Sequence, residues 1–272
     1  MSASDRNPPL RPLPSAMPAA QPPAIGVLAL MSGLKIALHL PAMTQYGWFR
    51  DELYYFASTY HLAWGYVEHP PLSIAILTLV RVLLGDSLVA VRLVPLLAGV
   101  ATVWLTGTLA ARLGGGRFAQ ALAALATVLA PVFLALDHYY SMNALDILLW
   151  VIAAHATLTA LDRQTLRAWC VLGLVLGLGF LNKISMFWFA GGLAAAVILT
   201  PHRRVLATRG PWLAAALALL LFAPHVIWQE RNHWPLLEFM HNATSRKMAP
   251  ISTTSFLLRQ MIQMNPGTVW LW

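Results

Sequence analysis

The chain contains 272 residues, of which 58% are apolar and only 10% are charged, whereas about a quarter of the residues in a soluble domain are charged. Too little polar surface remains to cover a water-soluble globule, so the composition indicates an integral membrane protein. The excess of 18 basic over 10 acidic residues does not indicate a nucleic-acid partner, because the basic residues are scattered between apolar runs. The single cysteine, Cys170, excludes a disulfide framework and a cysteine metal site.

The first 23 residues precede any apolar run. They are rich in proline and small residues, which predicts a disordered tail, and they lack the apolar core of a cleaved signal peptide. Apolar runs follow, and all but two are long enough to cross about 30 Å of hydrocarbon, which takes about 20 helical residues. The runs are 24–43, 72–84, 88–111, 118–136, 144–161, 168–181, 184–200 and 211–228.

The short run at 71–85 decides the topology. It carries Arg81 and either crosses the bilayer or lies in the interface. Basic loops gather on the cytoplasmic side, and the amino-terminal tail joins the other basic loops there only if 71–85 does not cross. The basic residues of those loops are Arg112 and Arg117, Arg163 and Arg167, and His202, Arg203, Arg204 and Arg209. We therefore predict an all-α transmembrane helical bundle of seven spans, with a juxtamembrane helix at 71–85 and a cytoplasmic amino terminus.

The same topology divides the chain into three regions and gives it an outer face. The predicted regions are a cytoplasmic tail (1–23), a transmembrane bundle (24–229) with an outer loop (44–87), and an outer-face segment (230–272). Two short turns, at 137–143 and 181–185, also face outward. Most of the carboxylates and the aromatic-flanked histidines lie in these outward segments, so we expect the chemistry of the protein at the outer face.

Two adjacent acids in the first outer loop are candidates for acid–base chemistry. Asp51 and Glu52 stand among aromatic residues, whose low dielectric favours a protonated carboxyl and so suits a general base. The same pattern is typical of an acidic pair on an interfacial helix within an aromatic belt. Spacing alone does not separate these two interpretations.

Other candidate residues in the outward segments have weaker patterns. Glu68 and His69 precede two prolines and are either ligands or a loop-to-helix boundary; Glu68 is a weak candidate for a divalent metal, since coordination needs at least three groups. Asp137 and Asp146 flank the start of a span, where a carboxylate needs a polar partner or cavity or reaches to the interface. Lys183 interrupts an apolar run and suits either a lipid phosphate or an ordinary turn.

Ionisable side chains within the spans are expected to serve structure rather than catalysis. Lys35, His39 and His155 are predicted to form interhelical hydrogen bonds. Arg92, near the outer end of its span, is expected to reach the interface or to pair with an acid such as Asp86.

Several stretches of the chain follow one another in the order of a known family. They are GWFRDELYY (47–55), GYVEHPPL (65–72), VRLVPLLAG (91–99), DHYYSMNALDILLW (137–150), GLGFLNKISMF (177–187), APHVIWQERNHWPLLEFMHN (223–242) and LLRQMIQMNP (257–266). On these stretches the chain resembles glycosyltransferase family 39, the protein-mannosyltransferase-like and aminoarabinose-transferase-like group. Members of that family usually continue through further membrane helices, so the chain is expected to correspond to their amino-terminal part.

The resemblance implies a C-type glycosyltransferase fold in a bacterial inner membrane, and inverting transfer of a sugar from a polyprenyl-phosphate donor to an extracytoplasmic acceptor. Asp51 then matches the base that activates the acceptor, and Glu52 supports the loop or the acceptor. The residues expected to bind substrate are Glu68, His69, Asp137, Asp146 and Lys183. Glu68 matches a glutamate that contacts metal in some relatives, and His69 stands where a better-known relative has lysine. Lys183 matches a lysine at a helix break, which we assign to the donor phosphate.

Two other functions stay open from the sequence. A transporter or flippase would use intramembrane acids and histidines as a proton path and predicts polar residues at mid-membrane depth with repeated halves. Here the acids cluster in outer loops and no repeat is visible, which favours the enzyme. The other alternative is a truncated, non-catalytic member of the family.

Overall fold

The structure, a computed structural model, describes residues 19–246, 248 and 250–271. Twelve α-helices and three short 3-10 helices account for most of these residues, and no strand occurs within the described ranges. The helices are α1 (Ile25–His39), α2 (Arg50–Ser58), α3 (Leu72–Leu84), α4 (Leu88–Arg112), α5 (Arg117–Leu129), α6 (Pro131–Leu136), α7 (Met142–Arg163), α8 (Leu166–Asn182), α9 (Met186–Leu199), α10 (Arg209–Arg231), α11 (Pro235–Arg246) and α12 (Thr253–Gln263). The predicted all-α bundle is confirmed, whereas most of the predicted tail, at 1–18, lies outside the described residues.

Among the described residues, four helical stretches are long and apolar enough to cross a membrane. They are Ile25–Ala42, Leu88–Arg112, Met142–Arg163 and Arg209–Arg231. Three further predicted spans correspond to apolar but shorter helices, since α5, α8 and α9 have 13, 17 and 14 residues. Length and composition therefore support four of the seven predicted spans, and the other three stay a prediction.

The predicted span at 118–136 is not one continuous helix. α5 ends at Leu129, Ala130 adopts an extended backbone with a ψ of 119°, and α6 begins at Pro131. Proline has no amide hydrogen to donate to the preceding turn, and it disfavours helical backbone at the residue before it. The expectation of an unbroken span is wrong here, because Pro131 starts a new short helix that leads into the turn at 137–143.

The short helix predicted at 71–85 is present as α3. Its 13 residues extend for about 20 Å at 1.5 Å per residue, and it ends at Gly85, whose φ of 81° is readily adopted by glycine. Ser73, Ile74 and Leu77 form its buried face, which packs against α2 and α4. The helix is confirmed, and its location in the membrane interface stays a prediction.

Small residues pack α8 closely against α10. A Cβ atom added to Gly173 would lie 2.6 Å from the carbonyl oxygen of Ala214, and one added to Gly177 would lie 3.2 Å from the Cα atom of Ala218. Small residues at four-residue intervals allow membrane helices to approach in this way. The contact fixes α8, whose last residue, Asn182, reaches the candidate site described below.

Gly173→Ala is expected to destabilise the bundle by about 1–3 kcal/mol, because the added methyl group meets backbone atoms of α10. Gly191→Ala on α9 is the matched control, since a Cβ atom there meets nothing within 4 Å and alanine favours helix over glycine. Thermal unfolding of both purified variants in detergent measures the difference. Equal unfolding midpoints would contradict a close-packed α8–α10 interface.

The segment after residue 229 packs loosely on the bundle. α10 continues to Arg231, and neither α11 nor α12 contains a buried residue. The side-chain amide of Asn265 donates to the carbonyl oxygen of Leu129 at 3.3 Å. The predicted region boundary at residue 230 stays a prediction.

Candidate active site

The segment 137–143, called the central turn below, connects α6 to α7 and fastens the first loop to the bundle. The amide of Tyr140 donates to Glu52 Oε1 at 3.0 Å, and the amide of Met142 donates to the hydroxyl of Tyr55 at 3.2 Å. Both acceptors lie on α2, so this loop helix is held against the central turn at two points.

Glu52 is buried beneath the first loop. It is 0% exposed and forms a two-pronged ion pair with Arg92, whose Nε and Nη2 atoms donate to Oε1 and Oε2 at 3.0 and 2.8 Å. Oε2 also accepts the amide of Phe49 at 2.9 Å, at the start of α2. Protein donors thus occupy both carboxylate oxygens, which favours a role for Glu52 in holding the loop rather than in touching substrate.

Arg92 closes the first loop onto α4. Besides Glu52, its guanidinium binds three backbone carbonyl oxygens at 2.7, 3.2 and 2.8 Å, and it is 2% exposed. The carbonyls belong to Met43, Tyr46 and Gly47. One buried arginine therefore gathers the loop before α2, and the carboxylate and carbonyl oxygens that accept its hydrogen bonds compensate for its burial.

Arg92 pairs with an acid, as one of the two expectations had it, but the acid is Glu52 and the suggested partner Asp86 is wrong. Asp86 instead accepts from Arg81 Nε at 2.7 Å, and 56% of its side chain is exposed. The guanidinium of Arg81 also lies over the ring of Phe56 at 3.8 Å, so it joins α3 to α2. Arg92 is the more deeply buried cation, and it pairs with the buried acid because an unpaired charge costs most where water is excluded.

The side chain of Asp51 points in a different direction from that of Glu52, because adjacent residues of a helix do not share a face. Its side chain is 42% exposed, and its partner is the exposed Arg50, at 3.0 Å. The ring centroid of Phe49, two residues before Asp51, lies 4.5 Å from that of Tyr139 in the central turn. Burial, followed by the negative charges of Asp51 and Glu52, raises the pKa of Tyr139. Asp51 is therefore a water-accessible carboxylate beside that turn.

The break between α8 and α9 contributes a cation to the same region. Lys183 Nζ donates to Asn143 Oδ1 at 2.7 Å and lies 3.5 Å from Asp146 Oδ2. The hydroxyl of Ser185 contacts both carboxylate oxygens of Asp146, at 2.6 and 2.7 Å. An ammonium group has three donors, and 29% of the Lys183 side chain is exposed. Lys183 therefore keeps a donor for an anion arriving from outside.

Asp51 and Lys183 thus both belong to elements that contact the central turn. Asp51 lies on α2, whose Glu52 accepts the Tyr140 amide, and Lys183 bonds to the last residue of the turn, Asn143. The side-chain amide of Asn182 adds a bond of 2.9 Å to the carbonyl oxygen of Met142. The structure therefore brings a carboxylate-bearing loop helix and a helix-break lysine to one end of the bundle.

His69 lies among tyrosine rings. It stacks on Tyr55, with ring centroids 4.8 Å apart and 8° between the planes, and its centroid is 5.8 Å from Tyr54 and 5.2 Å from Tyr66. Its Nδ1 atom donates to the carbonyl oxygen of Pro70 at 2.9 Å, and its Nε2 atom has no hydrogen-bond partner in the described part of the chain. Burial lowers the pKa of His69, so the ring is neutral near pH 7.

His69→Gln is expected to reduce the loss of stability on acidification. The folded pKa of His69 lies below its ordinary value of 6.5, so the unfolded chain binds more protons and the free energy of unfolding falls as the pH drops below about 6.5. His61→Gln, which removes an exposed histidine of the same loop, is the matched control. Unfolding curves from pH 7.5 to 5 compare the two variants, and identical slopes would contradict a buried neutral His69.

Glu68, adjacent to His69, is exposed. The pKa of Tyr54 is raised mainly by burial and next by the negative charge of Glu68. No group of three or more His, Cys, Asp or Glu residues with the geometry of a metal site occurs within the described residues. Glu68 stays a single candidate ligand.

Asp137 forms a buried ion pair with Lys35. Its Oδ2 atom lies 2.7 Å from Lys35 Nζ, and the two side chains are 6% and 0% exposed. Lys35 also donates to the carbonyl oxygen of Phe133 at 3.2 Å, and a Cβ atom on Gly99 would lie 2.5 Å from the carboxylate. The pair fastens α1 to the central turn, and these contacts give no support to the substrate-binding role predicted for Asp137.

Sequence reasoning missed several residues that assemble this region. Tyr140, which is 0% exposed, Asn143 and Ser185 were not singled out, although all three lie in the stretches that carry the family resemblance. Arg92 was assigned to structure but given the wrong partner. An arginine inside an apolar run requires a buried acceptor. This requirement favours a carboxylate such as Glu52 over an exposed carboxylate such as Asp86.

The apolar helices, the polar loop helix and the lysine at the break between α8 and α9 define a class of protein: a helical membrane protein with polar groups gathered at one end of its bundle. The sequence model of the dolichyl-phosphate-mannose-protein mannosyltransferase family matches residues 68–228. The chain belongs to that family, as the resemblance to glycosyltransferase family 39 predicted. Glu68, Asp146 and Lys183 lie within the matched residues, and Asp51 precedes them.

One solved structure is similar to the chain over most of its length. It is ArnT from Cupriavidus metallidurans in the apo state, with a TM-score of 0.65 and 18% sequence identity. The match covers 90% of this chain and 50% of ArnT, so the chain spans about half the length of that protein. No curated protein matches the sequence. The likeness to ArnT confirms the fold.

Proposed function

We propose that the protein is a membrane glycosyltransferase that moves a sugar from a polyprenyl-phosphate-linked donor to an extracytoplasmic acceptor. One observation carries the proposal: a partly exposed carboxylate, Asp51, and a partly exposed ammonium, Lys183, lie on elements that bond to the same central turn. Family membership and the ArnT-like fold support the same class of reaction.

The donor accounts for the position of Lys183. A polyprenyl chain stays in the hydrocarbon, so its phosphate is held at headgroup depth and needs a cation there. Lys183 stands between the apolar helices α8 and α9, at the end of both, where such a phosphate would arrive. A compact ammonium suits a phosphate oxygen as a point-charge partner.

The acceptor accounts for the position of Asp51. The acceptor comes from water, and Asp51 is open to water on a helix above the bundle. Asp51 takes the proton of the acceptor hydroxyl or amine while that group attacks the anomeric carbon. The electron pair of the nucleophile forms the new bond, and the bond from the anomeric carbon to the phosphate oxygen breaks towards the departing polyprenyl phosphate. Attack opposite the leaving group inverts the anomeric configuration, and Lys183 stabilises the charge gathering on the phosphate.

We place this site at the extracytoplasmic face of a bacterial-type inner membrane, with the amino terminus in the cytoplasm. α7 runs from the central turn to Arg163, so the basic loops lie at the other end of the bundle. Basic loops favour the cytoplasmic side, which leaves the central turn outside.

The proposal is tested by incubating the purified chain with polyprenyl-phosphate sugars labelled in the lipid and measuring released polyprenyl phosphate. We expect release with at least one sugar in the presence of an acceptor extract, and a donor KM raised by roughly tenfold in Lys183→Gln, as for loss of one charge-assisted hydrogen bond. Donor binding without any release would overturn the catalytic proposal in favour of a non-catalytic family member. An unchanged KM in Lys183→Gln would remove the phosphate contact.

A further inference from the structure

A cavity of about 470 Å³ lies between α7 and α8 at the end of the bundle opposite the candidate active site. Its lining on α7 extends from Ile152 to Arg163, about 17 Å along the helix. The other end of α7, Met142 in the central turn, is about 30 Å from Arg163. This cavity is therefore separate from the groups that the proposed sugar transfer uses.

The polar end of the cavity carries two cations without counter-charges. Arg163 and Arg167 line it, and neither forms an ion pair with any residue that the structure describes, whereas the neighbouring Asp162 is taken by Arg112 at 3.0 Å. Arg167 lies in the first turn of α8, which contains no acidic residue, and the helix dipole disfavours a cation at that end. An anion bound between the two guanidinium groups would relieve both costs.

The rest of the cavity has a mixed lining, in which His155, Thr159 and Thr165 are polar. An apolar strip runs beside them, formed by Ile152 and Ala156 of α7 and by Ala168 and Val171 of α8. Two arginines at one end of a cavity with an apolar strip match an amphiphile with an anionic head and a hydrocarbon tail. A small soluble anion would leave the apolar strip uncovered.

A second cavity at the same end repeats the pattern. It measures about 280 Å³ and is lined by Leu199, Thr200, Pro201, Arg203 and Arg204. Neither of these arginines is in an ion pair with a described residue. Paired arginines beside an apolar residue thus recur at this end of the bundle.

We propose that the larger cavity is a binding site for an anionic glycerophospholipid, independent of the sugar-transfer reaction. Arg163 and Arg167 bind the phosphodiester, because a guanidinium donates two N–H groups in the geometry of phosphate oxygens. One acyl chain lies along the apolar strip formed by Ile152, Ala156, Ala168 and Val171. Basic pockets between membrane helices are known to recognise anionic headgroups in this way.

The test measures binding of fluorescent phosphatidylglycerol to the purified full chain in neutral detergent, without any sugar donor. Unlabelled phosphatidylglycerol, phosphatidylcholine and inorganic phosphate serve as competitors. We expect phosphatidylglycerol to compete roughly tenfold better than phosphatidylcholine, as two basic contacts provide. Arg163→Gln/Arg167→Gln is expected to abolish most of this preference.

The matched control is Arg117→Gln/Arg209→Gln, which removes the same charge from exposed arginines at the same end of the bundle that line neither cavity. It is expected to keep the preference within about twofold. Equal losses in both double variants, or no headgroup preference in the wild type, would overturn the proposal. Displacement by inorganic phosphate at the concentration of the competing lipid would overturn it in favour of a free-anion site. Unfolding midpoints show whether both double variants are folded. If Arg163→Gln/Arg167→Gln is unfolded, Arg167→Lys is measured in its place.

Discussion

Asp51→Asn is expected to slow sugar transfer by roughly 10²–10⁴-fold, the range for loss of a general base, with little change in stability. Asparagine keeps the size of the side chain but cannot take the acceptor proton. Because Asp51 is 42% exposed and its partner Arg50 is 87% exposed, breaking this surface pair changes the free energy of unfolding by no more than about 1 kcal/mol.

Single-turnover transfer from a labelled donor measures this effect without the step of product release. Glu230→Gln is the matched control, since it neutralises another exposed carboxylate, in the last turn of α10, at the end of the bundle that we place outside. Its rate should stay within about twofold of wild type, as for a surface substitution. Transfer by Asp51→Asn at the control rate would exclude Asp51 as the base, whatever the donor.

Glu52→Ala is expected to lower the free energy of unfolding by about 3–5 kcal/mol, the range for breaking a buried ion pair. Arg92 is only 2% exposed, and the substitution removes the carboxylate that pairs with it. The substitution also removes the acceptor of the Tyr140 amide. The loop before α2 and the central turn then lose their shared partner. We expect the variant to lose transfer activity together with stability, because Asp51 is displaced with the helix that carries it.

Asp86→Ala provides the comparison for a charge pair in the same loop region. Asp86 is paired with Arg81, but it is 56% exposed, so its loss should cost at most about 1 kcal/mol. Thermal or denaturant unfolding of the two variants in the same detergent gives the contrast. Equal destabilisation would show that the pair of Glu52 with Arg92 is not buried as the structure indicates.

Hydrophobic runs predicted the helices well because each helix is encoded locally. The run at 211–228 became α10, and the interruption at 181–185 became the break between α8 and α9. The break in the run at 118–136 is also encoded locally, since it follows from Pro131. Mean apolarity does not reveal it, because a single proline hardly changes the average. Composition alone does not identify the shorter apolar helices, such as α5, α8 and α9, as membrane-spanning.

Side-chain pairing was much less predictable, because partners are distant in the sequence. Glu52 and Arg92 are 40 residues apart, and Lys35 and Asp137 are further apart still. Only the packing of α1, α2 and α4 around the central turn brings these charges together. A single sequence predicts that a charge in an apolar span needs a partner, but several acids satisfy that rule, and burial decides among them.

The central turn explains why residues from separate motifs act together in this account. Its backbone amides donate to Glu52 and Tyr55 of α2, and its Asn143 accepts from Lys183 at the helix break. A shift of the turn would therefore move the carboxylate of Asp51 relative to the ammonium of Lys183. Both groups are thereby fixed to the same short segment of backbone, at the end of the bundle that we place outside the membrane.

Cysteine labelling tests most directly whether Asp51 and Lys183 share one face of the membrane. Asp51→Cys and Lys183→Cys are introduced separately into a Cys170→Ser background, which removes the single native cysteine, and sealed vesicles of known orientation are treated with a membrane-impermeant maleimide. Both cysteines are predicted to react from the extracytoplasmic side. Labelling of the two positions from opposite sides would contradict the account.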